Sequence, residues 1–103
     1  MNMNKRDLEV LNILFASKEE MTSTEICYAK KGLTQSTVIA VLRKLLKENL
    51  VEVIGATHSG KVLSRTYRPT PEAKAVVIKF FLQELDDVKN IFSIDELIKE
   101  ADK

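Results

Sequence analysis

Apolar residues in the first half of the chain recur every three or four positions, which is the spacing of one face of an α-helix. In the first such segment the repeated apolar positions are Leu8, Leu11, Leu14 and Phe15. Asn4 precedes them and has a side chain that can cap a helix, with Asp7 three residues later. The pattern therefore predicts a first helix from Asn4 to Ala16.

A second, shorter helix is predicted after a charged turn. Thr22 and Glu25 have the spacing of a capping box, in which each side chain accepts a hydrogen bond from the backbone of the other residue. Ile26 and Ala29 are expected to supply the buried side of this helix. Gly32 is placed to end it with a left-handed cap.

The third predicted helix has an apolar side and a polar side. Thr34 can cap it, and it runs to about Glu48. At about 100° per residue, its apolar positions fall within about 100° of arc. These positions are Val38, Val41, Leu42 and Leu45. The opposite side carries Ser36, Ala40, Arg43 and Lys47, and the flanks carry Thr37, Ile39 and Lys44.

From residue 50 onward the apolar period changes from that of a helix to that of a strand. The segments 50–55 and 62–68 predict an antiparallel hairpin. Its turn contains His58, Ser59 and Gly60. Strict alternation puts Arg65 on the same face as Leu63 and Tyr67, so the sequence leaves open which face of the second strand is buried.

Two more helices are predicted at the C-terminal end. Thr70 and Pro71 are a strong helix start, with threonine as cap and proline at the first helical position, and the helix runs to about Val88. Its apolar stripe consists of Ala73, Val76, Val77, Phe80, Phe81, Leu85 and Val88, with Ile78 and Leu82 beside it. Ser93 and Glu96 form a further capping box before a last short helix. That helix carries Ile94, Leu97 and Ile98. One small core cannot cover this much apolar surface, which predicts a partner.

The composition limits the chemistry that the chain can support. It has 103 residues, of which 45% are hydrophobic and 30% charged, as in one globular domain. Cys27 and His58 are single residues of their types, so we expect no disulfide within the chain, no metal and no cofactor. No apolar run approaches the roughly 18 residues that span a bilayer, so we predict a cytoplasmic protein without a membrane partner. An enzyme is not expected, because no nucleophile motif accompanies the single histidine and cysteine.

Charge is distributed unevenly along the chain, although the net charge is only +1. Residues 1–69 contain 11 Lys and Arg against 7 Asp and Glu, and residues 70–103 contain 5 against 8. A basic region followed by an acidic tail favours one surface for a polyanion and another surface for a different contact.

The order of three helices followed by a hairpin is that of a winged helix-turn-helix, in which the third helix enters the DNA major groove and the hairpin touches the backbone. Such a recognition helix needs short hydrogen-bonding side chains near its start, and cations farther along to meet phosphate oxygens. The third predicted helix and the hairpin supply both. The predicted DNA-binding residues are Thr34, Gln35, Ser36, Thr37, Ile39, Ala40, Arg43, Lys44, Lys47, Lys61, Arg65 and Arg68.

Several short motifs carry a resemblance to a known family. They are Ser36-Thr37-Val38, then Val41, Leu42 and Leu45, then Asn49-Leu50-Val51-Glu52 and Thr66-Tyr67-Arg68-Pro69. Together they resemble the penicillinase and methicillin-resistance repressors (BlaI/MecI type) over about residues 5–85. The resemblance implies a dimeric repressor with a winged-helix domain, residues 1–69, and a C-terminal helical dimerisation arm, residues 70–103. The predicted dimerisation residues are Val76, Val77, Phe80, Phe81, Leu85, Val88, Ile91, Phe92, Leu97 and Ile98.

The sequence also departs from that family's pattern. Ile39 stands where relatives commonly have a basic residue, and the wing is longer than is typical. Antibiotic-sensing members are cleaved at an Asn-Phe bond, whereas here Asn90 is followed by Ile91. Copper-responsive members carry Cys-x-Cys pairs, which this sequence lacks. Regulation by cleavage at an Asn-Phe bond is therefore not expected here.

The sequence thus predicts a homodimeric, sequence-specific repressor that binds double-stranded DNA at an inverted repeat. A second interpretation is a winged-helix module that mediates protein assembly and has little affinity for DNA. The near-neutral isoelectric point of about 7.8 and the apolar residue at Ile39 keep this second interpretation open. The salt dependence of DNA binding distinguishes the two, because only a DNA reader neutralises several phosphates.

Overall fold

The computed structural model describes residues 2–59 and 61–103, and over that range it contains five helices and one two-stranded hairpin. The helices are α1 (Lys5–Ala16), α2 (Ser23–Ala29), α3 (Gln35–Lys47), α4 (Ala73–Lys89) and α5 (Ile94–Ala101). The strands are β1 (Val51–Ser59) and β2 (Val62–Pro69). The fold is a winged helix, mainly helical with the hairpin as its wing, as predicted. Within the described range, every helix is too short or too polar to cross a bilayer.

The first two helices begin with reciprocal caps, as predicted. At α1, the Asn4 side chain accepts a hydrogen bond from the Asp7 N–H, and Asp7 Oδ2 accepts one from the Asn4 N–H, both at 2.9 Å. At α2, Thr22 and Glu25 make the same exchange at 3.2 and 3.0 Å. Each pair satisfies two backbone N–H groups that the start of a helix would otherwise leave without a partner.

The hydrophobic core lies between α1, α2, α3 and the foot of the hairpin. The four side chains predicted for the inner side of α3 are all buried, at 6% exposure or less. The other buried apolar residues are Val10, Leu11, Leu14, Ile26, Leu33, Leu50, Val51 and Ala73.

Two predictions about the core are wrong. Phe15 is 42% exposed, because it lies about 100° of helical rotation from Leu14 and outside the buried stripe, whereas Val10 is fully buried. Ala29 is exposed at the last turn of the short helix α2. Gly32 has the predicted left-handed φ of 96°, but α2 ends three residues earlier, so Gly32 shapes the turn into α3.

Helix α3 ends in a Schellman motif at Asn49, which has a left-handed φ of 59°. The Leu50 N–H donates to the Leu45 carbonyl at 2.9 Å, and the Asn49 N–H donates to the Leu46 carbonyl at 3.1 Å. Asparagine adopts this conformation more readily than most residues that have a side chain. The motif turns the chain from α3 directly into β1.

Thr70 joins the C-terminal arm to the end of α3. Its hydroxyl donates to the Asn49 carbonyl at 2.7 Å, and its N–H donates to the Leu50 carbonyl at 3.1 Å. We call this pair of contacts the Thr70 joint. The prediction that Thr70 caps the next helix is wrong, because α4 begins at Ala73, after Glu72, without a side-chain cap. The Thr70 hydroxyl is used at the end of α3 instead.

The strands β1 and β2 pair antiparallel, from Val51 opposite Pro69 to Ser59 opposite Val62, with a register shift at Ile54. On its other edge, β2 is bridged to Met21 by two backbone hydrogen bonds of Tyr67, at 2.8 and 3.0 Å. His58 lies in β1, and not in the turn as predicted. The turn residue Gly60 lies outside the described residues.

Both faces of β2 are covered near the foot of the hairpin, where Thr66, on the face opposite to Tyr67, is 4% exposed. Arg65, Leu63 and Tyr67 share one face, as strict alternation requires. Tyr67, near the foot of the hairpin, packs on the core, whereas Leu63 is 62% exposed and Arg65 is also exposed. The outer part of the wing extends beyond the helices, so its alternating faces have no core to cover.

The C-terminal arm, residues 70–103, extends away from the helical core. The molecule measures 55 × 28 × 23 Å, with a radius of gyration of 16.1 Å against about 13 Å expected for a compact chain of this size. In α5, the Ser93 hydroxyl accepts a hydrogen bond from the Glu96 N–H at 3.2 Å. The Glu96 carboxylate then accepts from that same hydroxyl, so only half of the predicted capping box forms.

Candidate nucleic-acid interface

Helix α3 presents one continuous exposed face to the solvent. Its inner side is fixed in the core, and the four residues on the opposite side are all exposed. These residues are Ser36, Ala40, Arg43 and Lys47, and we call them the recognition face. Small side chains near the start allow close approach of the helix backbone, and the two cations lie toward its end. The structure therefore presents these four residues as the sequence predicts.

Three of the predicted DNA-binding residues at the start of α3 make contacts within the chain. The Thr34 hydroxyl accepts a hydrogen bond from the Thr37 N–H at 3.2 Å and donates to the Thr37 hydroxyl at 2.9 Å. The Gln35 amide donates to the Ser23 hydroxyl at 2.8 Å, which ties α3 to the first residue of α2. These side chains fix the start of the helix. Ser23 is a neighbour that the sequence patterns do not reveal.

Lys44 on the flank of α3 forms an ion pair with Asp7 of α1. The Asp7 side chain is only 1% exposed, whereas that of Lys44 is 38% exposed. The sequence predicts Lys44 as a DNA contact, but the structure directs its ammonium group at a carboxylate inside the protein. The burial of Asp7 could have been found from spacing, because it precedes Val10, Leu11 and Leu14 by three, four and seven residues.

A second charged cluster joins α1 to α2. Glu9 pairs with Arg6 at 2.7 Å and with Lys30 at 3.2 Å. The hydrogen bond from Arg6 lowers the pKa of the Glu9 carboxyl below its ordinary value, and the hydrogen bond from Lys30 lowers it further. This cluster fixes the end of α2 against α1, and none of its ion pairs involves a residue of α3.

The wing contributes two exposed cations without an ion pair and one that is paired. Arg68 donates to Glu52 across the hairpin at 2.8 Å, near the foot of the wing. Lys61 and Arg65 are exposed near the tip, and no carboxylate among the described residues pairs with them. Arg43 and Lys47 of the recognition face are likewise unpaired within the described part of the chain. We call these four residues the free cations.

Ile39 differs in chemistry from the rest of the candidate interface. It lies on the flank of α3 opposite to Lys44 and is 39% exposed. An exposed apolar side chain there can contact the methyl group of thymine but cannot form an ion pair with phosphate.

The predicted dimerisation residues lie along the arm, and most are exposed. Seven of the ten are exposed, with exposed fractions from 37% at Val88 to 74% at Ile91. Val77 is an exception, because it packs against the core of the winged helix. Phe80 is half-buried and makes an edge-to-face contact with Phe81, with ring centroids 5.3 Å apart. Leu97 is half-buried on α5.

Solved structures of transcription regulators resemble this fold. Bacillus subtilis PadR in complex with operator DNA is 20% identical, with a TM-score of 0.63, over 78% of this chain and 48% of that chain. A PadR family transcription regulator from Clostridium difficile R20291 is 21% identical, with a TM-score of 0.60, over 86% and 98% of the two chains. A MarR family regulator from Neisseria meningitidis is 22% identical, with a TM-score of 0.57, over 97% and 72%. The chain thus spans about half of the first of these proteins.

No curated protein sequence matches the chain. Residues 3–73, which include α1 to α3, both strands and the start of α4, match the family described as the winged helix DNA-binding domain. This match covers the recognition face and the wing, and it leaves the closer resemblance to the penicillinase repressors as a prediction. The chain belongs to the winged helix DNA-binding domain family.

Proposed function

We propose that this protein is a homodimeric transcription regulator, a repressor, that binds an inverted-repeat operator in double-stranded DNA. The observation that carries the proposal is the recognition face of α3, which is exposed while the opposite side of the same helix is buried in the core. Within a winged helix this is the helix that enters the major groove. The sequence resemblance to the penicillinase-type repressors supports repression over activation. Such a role places the protein in the compartment that holds the DNA, which we expect to be the cytoplasm.

The chemistry of the two DNA-facing elements differs. Arg43 is the side chain best suited to read a base, because a guanidinium group can donate two hydrogen bonds to guanine. Lys61 and Arg65 in the wing suit phosphate oxygens, which fix the position of the protein without reading sequence. We expect α3 to supply specificity and the wing to supply affinity.

The arm supports the dimer in this proposal. Apolar side chains that are a third or more exposed run along α4 and α5, whereas the winged-helix core already buries its own apolar residues. A second copy related by a twofold axis would cover this surface with the same residues. Two recognition helices related by that axis require two matching half-sites in opposite orientation.

The operator prediction can be tested with a spacer series. A binding site is first identified among genomic fragments captured by the protein. The number of base pairs between its two half-sites is then changed, while the sequence of each half-site stays the same. Inserting about five base pairs, half a helical turn, should abolish simultaneous binding of both heads, because one half-site then faces away. Mobility shifts measure this loss. Undiminished binding at every spacing would contradict the rigid dimer.

The dimer prediction needs a variant that leaves the core intact. Removing residues 70–103 would take away Ala73 and Val77, which pack on the core, so a monomer obtained in that way would be ambiguous. Leu85→Glu changes a residue of α4 that is 46% exposed. We expect the full chain to sediment as a dimer at tens of micromolar, which corresponds to a free energy of dimerisation on the order of −7 kcal/mol. The Leu85→Glu variant should sediment as a monomer at the same concentration. A monomeric wild-type protein would contradict the proposal.

One observation favours the alternative of a protein-assembly module. Val62 and Leu63 near the tip of the wing are 64% and 62% exposed, which is unusual for a surface that touches only phosphates. A winged helix of this kind would bind duplex DNA weakly and with little dependence on salt. The salt dependence of duplex binding separates the two functions, because only the DNA-binding regulator should show a steep slope.

A further inference from the structure

We propose that Asp7 is a positioning residue for DNA recognition, which sets the orientation of α3 through its ion pair with Lys44. The proposal rests on the proposed function, because it concerns the helix that is expected to read the bases. It also changes the role predicted for Lys44, from a contact with phosphate to an anchor for the recognition helix.

Asp7 is buried far more deeply than a helix cap requires. One of its carboxylate oxygens, Oδ2, accepts hydrogen bonds from the Asn4 N–H and from Lys44. The other oxygen, Oδ1, is buried and has no hydrogen-bond partner among the described residues. A carboxylate in such a place is unfavourable unless a cation is held beside it. Among the described residues, Lys44 is the cation that pairs with it.

The ion pair of Asp7 and Lys44 connects α1 to the part of α3 that carries the cations of the recognition face. Lys44 directly follows Arg43 and precedes Lys47 by three residues, and both of these belong to the recognition face. The buried residues of α3 are apolar, and they set its rotation only coarsely because apolar packing is not directional. A charge-assisted hydrogen bond has a preferred direction, so it selects one rotation of α3 about its own axis. Loss of the pair should let the recognition face turn away from the bases.

The test measures discrimination and salt dependence separately. The probes are a duplex selected by the wild-type protein from a randomised pool and a scrambled duplex of equal composition. Asp7→Asn and Lys44→Met should each lower the ratio of the two affinities by at least about fivefold, the lower end for one lost base contact. Neither should change the salt slope by the roughly 0.9 per protomer that one lost phosphate contact gives. The double variant that combines Asp7→Asn with Lys44→Met should recover part of the free energy of unfolding lost in Lys44→Met, because it leaves no unpaired charge buried.

Two matched controls separate positioning from general stability and from phosphate binding. Glu9→Gln removes another nearly buried carboxylate of α1, one that pairs with Arg6 and Lys30 and not with α3, so discrimination should stay unchanged. Lys47→Met removes a free cation of α3, so the salt slope should fall. If circular dichroism shows that Asp7→Asn does not fold, the ratio of the two affinities is measured on the double variant instead.

Three results have different meanings. A folded Asp7→Asn variant, or a folded double variant in its place, with unchanged discrimination would overturn the proposal. A Lys44→Met variant with a reduced salt slope and unchanged discrimination would also overturn it and would make Lys44 a phosphate contact. A wild-type protein that selects no duplex would instead overturn the proposed function.

Discussion

In the proposed dimer, four cations of each protomer should determine how steeply DNA binding weakens as salt is added. The free cations Arg43, Lys47, Lys61 and Arg65 are exposed and have no ion pair among the described residues, whereas Lys44 and Arg68 are paired with carboxylates. Each neutralised phosphate contributes about 0.9 to the slope of log K against log salt. Two protomers with four contacts each give a slope of about −7, and six contacts each would give about −11.

The measurement is fluorescence anisotropy of one labelled duplex over a series of salt concentrations. Lys47→Met should reduce the slope by about 2 in the dimer, because two phosphate contacts are lost. Lys89→Met at the far end of α4 is the control and should leave the slope unchanged. A wild-type slope near −11 would show that both ion pairs open on DNA and would refute the count. A slope shallower than about −2 would favour the protein-assembly function.

Three further predictions test single residues. Arg43→Ala should weaken binding to the selected duplex by roughly 1 to 3 kcal/mol and relax sequence preference, and an unchanged preference would remove Arg43 from the reading surface. Asn49→Ala should lower the free energy of unfolding in urea by about 1 kcal/mol, because alanine is strained at the left-handed φ, while Asn49→Gly should not. Because Arg6 and Lys30 lower the Glu9 pKa, Glu9 should stabilise the fold above the ordinary carboxyl range, and this contribution should vanish as pH falls through the lowered pKa. The melting temperatures of wild type and Glu9→Gln should therefore differ at neutral pH and converge in acid.

The recognition helix could be predicted from the sequence because its signals are local. Thr34 caps α3 as expected, and the four apolar positions at helical spacing are all buried. A capping side chain and a period of 3.6 residues depend only on neighbours within a few positions. The exposed recognition face follows from the same arithmetic, since it lies opposite the buried stripe.

The ion pairs could not be predicted in the same way. Lys44 and Asp7 are 37 residues apart, and a list of basic residues cannot show which of them face a carboxylate. The predicted role of Thr70 is wrong for a related reason. Its hydroxyl had a suitable local position to cap α4, but a carbonyl 21 residues earlier in the chain lies within hydrogen-bond distance. Tertiary contacts of this kind override local preference without leaving a pattern in the sequence.

The wing shows a different limit of pattern reading. Alternation correctly places Arg65 with Leu63 and Tyr67, yet only Tyr67 packs on the core. A period of two residues says which side chains share a face of a strand. It does not say how far the strand extends beyond the body that would cover that face.

A small rotation at the Thr70 joint would move the far end of α4 a long way relative to the recognition helix α3. Helix α4 has 17 residues and is about 25 Å long, so each degree of rotation at the joint moves its far end by about 0.4 Å. A rotation of about 8° then amounts to roughly 3.4 Å, the rise of one base pair. In a dimer held together by its arms, the two hydrogen bonds of Thr70 and the packing of Ala73 and Val77 on the core would thus together set which spacing of half-sites the pair of recognition helices can span.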